Sequence, residues 1–566
     1  MCFLAPNFNC VTGYYLKCGD MQLLSDEDSD SCHLLMNSLD FDDVVEELGE
    51  LGRYQILMYT LACIPVLFGA ANSLTYVFTA GVPNYRCLVP ECDNVTNPIY
   101  ASPWIEWAIP NKHQSTTAQY YEAEYCERYI RNTTDIGIGC FPQTFTNRTE
   151  RCHEWVFDDE RTIVNDWNIT CLENQWMLSL VGTCHFAGII IGSGAFGALA
   201  DRYGRKLMFI LSIFLMSVSG IIQVFSNGYV MFAIFIFINS IGTAGIFPLA
   251  FIIGVEMVGR KKREVTGIIL NYFYSVGEAL IALFAWVTKD WVQLQLIASA
   301  PALIFLCYYW ILPESARWLL AKNRKVEAKA VMYRVAECNK VVLSDHLMEI
   351  FEEPQFKIDS LEEAKILPVV KCMAKSRKLV FRFSIVFFIW AVNAFVYYGL
   401  SLSSTSIGGD KYLNFALVSL VEIPGNTLAW VCINKIGRKW SLAGSLLISG
   451  VTCCLTIFVP ADMHWLVIVF FLIGKLGVTS AFSVSYVHTS EMLPTIIRSG
   501  GVGLASTTAR VGALVAPFVP LLGQYVPYLP MLLLGGFAVV AGLLALKLPE
   551  TRGVKLPEKV IDAQRL

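Results

Sequence analysis

The chain has 566 residues, enough for about three or four soluble domains by length alone. However, 55% of it is hydrophobic and only 16% charged, against about 25% charged in a typical soluble chain. With 35 Phe, 24 Tyr and 13 Trp and a mean hydropathy of +0.51, there is more apolar surface than soluble cores bury. That argues against a disordered protein and most soluble enzymes, and a net charge of −4 offers no basic face to nucleic acid.

Residues 1–50 are acidic and polar. Ser25-Asp-Glu-Asp-Ser-Asp30 reads as disordered. Phe41, Val44, Val45 and Leu48 fall at helical spacing and predict a short amphipathic helix leading into the first apolar run. No cleavable leader is expected, because Met1–Asp20 lacks a basic start followed by an apolar stretch. A helix crossing hydrocarbon needs about 20 mostly apolar residues. Twelve runs meet this: 55–79, 177–199, 207–226, 229–252, 265–287, 293–312, 379–401, 412–433, 440–459, 464–487, 500–522 and 527–547. They are continuous rather than alternating, so they predict helices, whose backbone groups are satisfied internally in lipid.

The connectors sort by charge. Asp201-Arg-Tyr-Gly-Arg-Lys206, Gly259-Arg-Lys-Lys-Arg263 and Asn434-Lys-Ile-Gly-Arg-Lys439 are basic, whereas those near 226–228, 460–463 and 523–526 have no Lys or Arg. The positive-inside rule then places both termini in the cytosol and residues 79–175 outside. All four Asn-X-Ser/Thr sequons, at Asn94, Asn132, Asn147 and Asn168, fall in that outer segment. Asn168 lies close to the second run and is the poorer expected acceptor. Cys87, Cys92, Cys126, Cys140, Cys152 and Cys171 also lie there. An even count in an oxidising compartment predicts three disulfides, with the pairing open.

The chain repeats itself once. Asp201–Lys206 is echoed by Asn434–Lys439, Glu256-Met-Val-x4-Arg263 by Glu491-Met-Leu-x4-Arg498, and Leu312-Pro-Glu-Ser-Ala-Arg317 by Leu548-Pro-Glu-Thr-Arg552. Three markers in the same order at nearly one offset predict two homologous six-helix halves. The predicted fold is therefore an all-α membrane protein with twelve transmembrane helices in two pseudo-symmetric halves, the major facilitator fold, with a disulfide-bonded outer loop. The first half spans 51–312, a charged helical linker 313–378, the second half 379–547 and a tail 548–566. Asp201, Arg205, Glu256, Arg263, Glu314, Arg317, Glu491 and Arg498 read as charge latches at the cytosolic helix ends, the plain alternative being loops held in place by topology. Asn434 replaces the acid of the first half, so the second latch is expected to be weaker.

These markers resemble the organic cation, organic anion and carnitine transporter family, solute carrier family 22. The resemblance runs from about Asp40 to Pro557 and includes Gly52-Arg-Tyr-Gln55, Pro83-Asn-Tyr-Arg-Cys87, Cys152-His-Glu-Trp-Val-Phe157, Trp167-Asn-Ile-Thr-Cys171 and Tyr308–Leu319. It also includes Val421-Glu-Ile-Pro-Gly425 and Gly474-Lys-Leu-Gly477. It implies a plasma-membrane carrier that moves small charged organic molecules by alternating access, without a cofactor but with a possible coupling ion, sodium or proton. A non-transporting receptor of the same fold is the alternative from another class.

Ionisable residues inside spans are expensive to insert and carry functional hypotheses. At the position of Arg510 the resembling cation carriers hold an aspartate and the anion and carnitine carriers an arginine. A guanidinium there can make a bidentate pair with a substrate carboxylate, or can neutralise Glu422. Glu422 could attract an amine or a coupling cation, or neutralise Lys475 or Arg510. Glu278, where the family is usually uncharged, offers a second cation contact. His185 reads as packing rather than a proton relay. Tyr397 foremost, with Tyr398, Phe482, Tyr486 and Phe247, could hold an ammonium by cation–π contact, and Asn426 could orient a polar group. Arginine, two acids and aromatics together suit a zwitterion such as carnitine, a betaine or a β-alanine-like amino acid, with an organic anion as the alternative cargo.

Overall fold

The computed structural model describes residues 41–94, 96–111, 123–132, 140–259, 262–342, 369–460, 463–494, 497–554, 556–557 and 560–565. The acidic stretch at 25–30 and the linker between 343 and 368 lie outside the described residues.

The amphipathic entry helix is α1 (Phe41–Glu47), and Phe41, Val44, Val45 and Leu48 are all buried. The first half follows as α2 (Arg53–Leu74), α3 (Trp176–Tyr203), α4 (Arg205–Val224), α5 (Tyr229–Met257), α6 (Arg263–Thr288) and α7 (Trp291–Ser299), the last continuing as a 3-10 turn through Cys307. The linker contains α8 (Lys325–Asn339). The second half is α9 (Arg377–Ser403), a span broken into α10 (Lys411–Leu420) and α11 (Glu422–Lys435), then α12 (Arg438–Leu455), α13 (His464–Met492), α14 (Arg498–Val515) and α15 (Leu529–Ala545). Among the described residues eleven apolar spans reach 18 residues or more, and α15 falls one short at 17. At 1.5 Å per residue α15 is about 26 Å long, slightly under the hydrocarbon thickness.

Helix starts follow the local chemistry. The Asp290 carboxylate accepts the Val292 amide, and that of Asp410 accepts the Tyr412 and Leu413 amides, so α7 and α10 begin capped. Gly204 and Gly437 sit at φ +110° and +111°, a region that favours glycine, and let α4 and α12 start one residue after a tight turn. The linker is tied to the chain's entry by Asn339. Its amide donates to the Leu48 carbonyl (3.0 Å) and to Gln55 (2.9 Å), while its oxygen accepts the Tyr54 amide (3.0 Å).

The long loop after α2 holds two small antiparallel sheets. β1 (Tyr85–Cys87) pairs with β4 (Trp155–Phe157), and β2 (Glu127–Arg131) with β3 (Phe145–Arg151). The open disulfide pairing resolves to Cys87–Cys152, Cys92–Cys140 and Cys126–Cys171. By the chain-entropy argument, closing 45 to 65 residues contributes about 4 kcal/mol per bond. Asn94, Asn147 and Asn168 are exposed, and Asn132 is half-buried.

The two halves meet along two seams. α6 lies along α10 and α11, and α3 against α14. Gly182 permits the second approach, since a Cβ there would come within 2.7 Å of Pro517. Thr183 also donates across it to the Leu514 carbonyl (3.3 Å).

Candidate functional site

Three of the ionisable residues of the spans, Glu278, Glu422 and Lys475, gather at the seam of α6 with α11. Glu422 begins α11, just after the break that follows α10. Its Oε2 accepts the Ser275 hydroxyl from the opposite half (3.0 Å). Its Oε1 lies 2.9 Å from Lys475 Nζ, a close ion pair rather than an aligned hydrogen bond. Lys475, on α13, is 0% exposed. It also donates to Ser401 Oγ (2.7 Å) and the Tyr397 carbonyl (3.3 Å), and its ammonium rests 3.3 Å from the Tyr397 ring centroid.

Of the two partners left open for Glu422, Lys475 and Arg510, the geometry gives it Lys475. The ring expected to hold a substrate ammonium, Tyr397, already holds the protein's own. The reason is tertiary: α11 packs on α13, which sets Glu422 beside the lysine, and the ammonium lies over the tyrosine of α9.

Arg510, midway along α14, is half-buried. Among the described residues it makes no hydrogen bond or ion pair, and its electrostatic neighbour is Tyr398. Tyr398 packs edge-on to Phe186 (4.6 Å) and to Tyr397 (5.0 Å). Beside them Trp390, Phe482 and Tyr486 form an aromatic cluster, with Trp390–Tyr486 at 4.5 Å and Phe482–Tyr486 at 5.8 Å. Tyr486 keeps 41% of its surface exposed. Trp390, which the sequence reading missed, is anchored by its indole N–H to Thr489 (2.9 Å). Phe247 lies apart from this cluster against Tyr274 (5.5 Å). Asn426 accepts the Ser483 hydroxyl (2.6 Å). His185 is buried against Ser240 (2.5 Å), in keeping with a packing role. Glu278 is 0% exposed in the seam, so no amine reaches it in this conformation.

At the end of the bundle away from the loop, five of the expected latch residues, Asp201, Arg205, Glu256, Glu314 and Glu491, fall into one charge cluster in each half. Arg205 pairs with Asp201 (3.0 Å) and Glu256 (3.3 Å). Glu314 Oε1 accepts the backbone amides of Arg205, Lys206 and Ser315. In the second half Arg438 grips both oxygens of Glu491 (2.8–3.1 Å). Glu550 accepts the amides of Arg438, Lys439, Thr551 and Arg552. The second cluster, expected to be the weaker, therefore has the closer Arg–Glu pair. Asn434 turns away to the Trp430 carbonyl, and Thr551 adds a hydroxyl to Glu491 (2.5 Å). Burial alone would raise the Glu550 pKa, but its four backbone amides outweigh that and hold it below the usual carboxylate range. Arg317 lies over the Phe41 ring (5.0 Å). Arg263 and Arg498 open α6 and α14.

Among the described residues no ion pair at this end joins the two halves. The hydrogen bond between halves nearest to it is Tyr272–Thr427 (2.6 Å).

The loop end is different. Glu160, from the loop, pairs with Lys411 and accepts the Tyr412 hydroxyl (2.6 Å). Phe78 stacks on Tyr412 (5.6 Å) and meets Phe415 edge-on (5.0 Å). Glu160 is rigidly mounted on the first half. Asn165 donates to its carbonyl (2.9 Å), and Arg161 exchanges backbone hydrogen bonds with the 289–291 turn. This clasp between halves was not legible in the sequence, because a loop glutamate carries no periodicity that names its partner.

Comparison with known proteins places this geometry. The family "Sugar (and other) transporter" matches residues 120–560. The organic cation transporter protein of Drosophila melanogaster is 35% identical over 531 residues, covering 93% of this chain and 94% of the relative. Human organic cation/carnitine transporter 2 is 30% identical over 538 residues, covering 93% and 94%. Among solved structures, the partially occluded inward-open xylose transporter XylE from E. coli superposes with a TM-score of 0.61 at 16% identity, covering 89% of this chain and all of that one.

Proposed function

The chain belongs to solute carrier family 22, the organic cation and carnitine transporters of the major facilitator superfamily, and from that premise we propose that its cargo is a small organic zwitterion. The supporting observation is Arg510, a half-buried guanidinium midway along a span with its charge unmet by any described carboxylate. An uncompensated cation in that setting is costly. A substrate carboxylate would meet it in bidentate fashion. The substrate's ammonium would rest on the Trp390–Phe482–Tyr486 rings, since the Tyr397 face is taken.

In this reading the basic connectors keep both termini cytosolic in the plasma membrane, and the structure is the inward-facing state. The Glu160 clasp shuts the outer side, while the inner charge clusters hold each half separately. Return to the outward-facing state breaks the clasp and joins the inner ends.

The test is uptake by cells expressing the protein, using labelled carnitine, β-alanine, a quaternary amine and a dicarboxylate. Wild type is expected to take up the zwitterions. Arg510→Ala is expected to lose affinity for them by about tenfold or more, the equivalent of 1.5–3 kcal/mol for a hydrogen bond to a charged group, while any uptake of the quaternary amine is spared. Normal zwitterion affinity in Arg510→Ala would overturn the assignment. Preferred dicarboxylate uptake would favour the anion reading instead.

A further inference from the structure

Glu278 is the ionisable group for which the site described so far has no use. It stands on α6 in the first half, 0% exposed, with its carboxyl group set against the Glu422 carboxylate and the Tyr274 hydroxyl but without an aligned hydrogen bond to either oxygen. Its charged neighbours are Glu422 on α11 and Lys475 on α13. Tyr274 on its own helix, Tyr76 after α2, and Tyr397 and Tyr398 on α9 are its polar neighbours. Arg510 lies beyond Tyr398.

The local charges do not balance. Lys475 is already the partner of Glu422 at 2.9 Å, and Ser275 completes Glu422's other oxygen. Two carboxylates and one ammonium leave a formal charge of −1 in a buried seam. A buried carboxylate without partners is strongly disfavoured, and two neighbouring carboxylates do not both stay ionised. Glu422 holds the close lysine contact, so Glu278 is the member that must be neutralised.

The position of that group gives it a mechanical meaning. Glu278 and Glu422 sit on opposite halves, and the α6–α11 seam that buries them is closed together with the loop-end clasp. Parting the halves at the loop end would bring water to Glu278 and let it ionise. We propose that Glu278 is a proton-binding site of the transport cycle: its carboxylate takes one proton from the loop-side medium as the seam closes, and the outward-closed state carries it as a neutral acid. The step is a proton transfer from hydronium or water to a carboxylate oxygen, with no other bond made or broken. Protons on the loop side thus favour closure and inward passage of cargo. This rests on the transporter reading above.

Two measurements test it. The first needs no substrate. Cysteines beside the clasp, Val82→Cys on the first half with Thr405→Cys on the second, both lining the cavity next to it, leave the clasp intact and are cross-linked at the surface of intact cells by a membrane-impermeant bifunctional thiol reagent. Closure brings the two thiols together, and acidification from about pH 8 to about pH 6 is expected to raise the closed fraction. In the Glu278→Gln background, which mimics the protonated acid, the closed fraction is expected to be high at both values. Comparing the two backgrounds at each pH cancels the thiol chemistry. The second is uptake of the labelled zwitterion, expected to rise several-fold on the same acidification in wild type and to be flat in Glu278→Gln. Surface biotinylation normalises both.

An equal pH response in both backgrounds overturns the proposal. So does a response to sodium, but not to pH, that vanishes in Glu278→Gln, because the site would then bind the metal cation. PH-dependent cross-linking in a protein that moves none of the tested substrates leaves the proton site standing and removes the transport reading.

Discussion

A lysine with no exposed surface, such as Lys475, is tolerable only if its charge and its protons are met. Here one carboxylate, one hydroxyl, one carbonyl and one ring meet them. Removing only the lysine should therefore hurt more than removing the pair. Lys475→Met leaves Glu422 buried beside Glu278 with no cation between them, and is expected to cost about 3–5 kcal/mol, seen as a lower melting temperature in detergent and loss of surface protein. Lys475→Met with Glu422→Leu is expected to recover most of it, and equal instability of the single and double variants would refute the pairing. The five ionisable residues of the spans were legible as anomalies in apolar runs. Which of them pair was not, because a pattern along one helix says nothing about the face that a neighbouring helix turns toward it. Glu422, one expected neutraliser of Arg510, is engaged by Lys475 instead.

At the level of elements, the internal repeat read from the sequence reappears as two superposable turns. Gly204 and Gly437 share the same positive φ, and in each the space a side chain would fill holds a glutamate, Glu314 or Glu550. The repeat was legible because glycine and the Pro-Glu markers are forced by this turn. The partner of Glu491 was missed, since attention to Asn434 as the altered acid hid Arg438 four residues on. Glu550 also carries a pH signature. Its pKa lies below the usual range in the folded protein, so its stabilisation is present at neutral pH and fades as the pH falls through that depressed value. Glu550→Gln is expected to lower stability at neutral pH and to lessen the loss on acidification, which a series of melting curves in detergent would show. Parallel wild-type and variant curves would exclude the role. The Asn339 clamp on Leu48, Tyr54 and Gln55 was hidden for the same reason as the ion pairs: its partners are 284 residues or more away in sequence.

Across the whole molecule, hydropathy showed nearly every span, because lipid admits so few backbone solutions. It overstated the last one, which stops at 17 residues. The state of the molecule, closed at one end, was not legible, since it depends on the Glu160 clasp. Glu160→Gln keeps the shape and removes the charge. It is expected to open the loop end more often, by about tenfold if a charge-assisted bond is lost. A membrane-impermeant thiol reagent reacting with Thr405→Cys, which lines the cavity beside the clasp, would report it as faster labelling, and an unchanged rate would sink the idea. The three disulfides give the clasp a further property. Cys126–Cys171 fastens the sheets of the loop to the short helix that leads into α3, and the backbone bonds of Arg161 fasten Glu160 to the turn between α6 and α7. The loop is thus cross-braced, fixed to one half and latched to the other through Glu160, where it rejoins the bundle. A binder that grips its outer face, or a reductant that softens it, acts on the rocking of the whole bundle from a point far from the cargo.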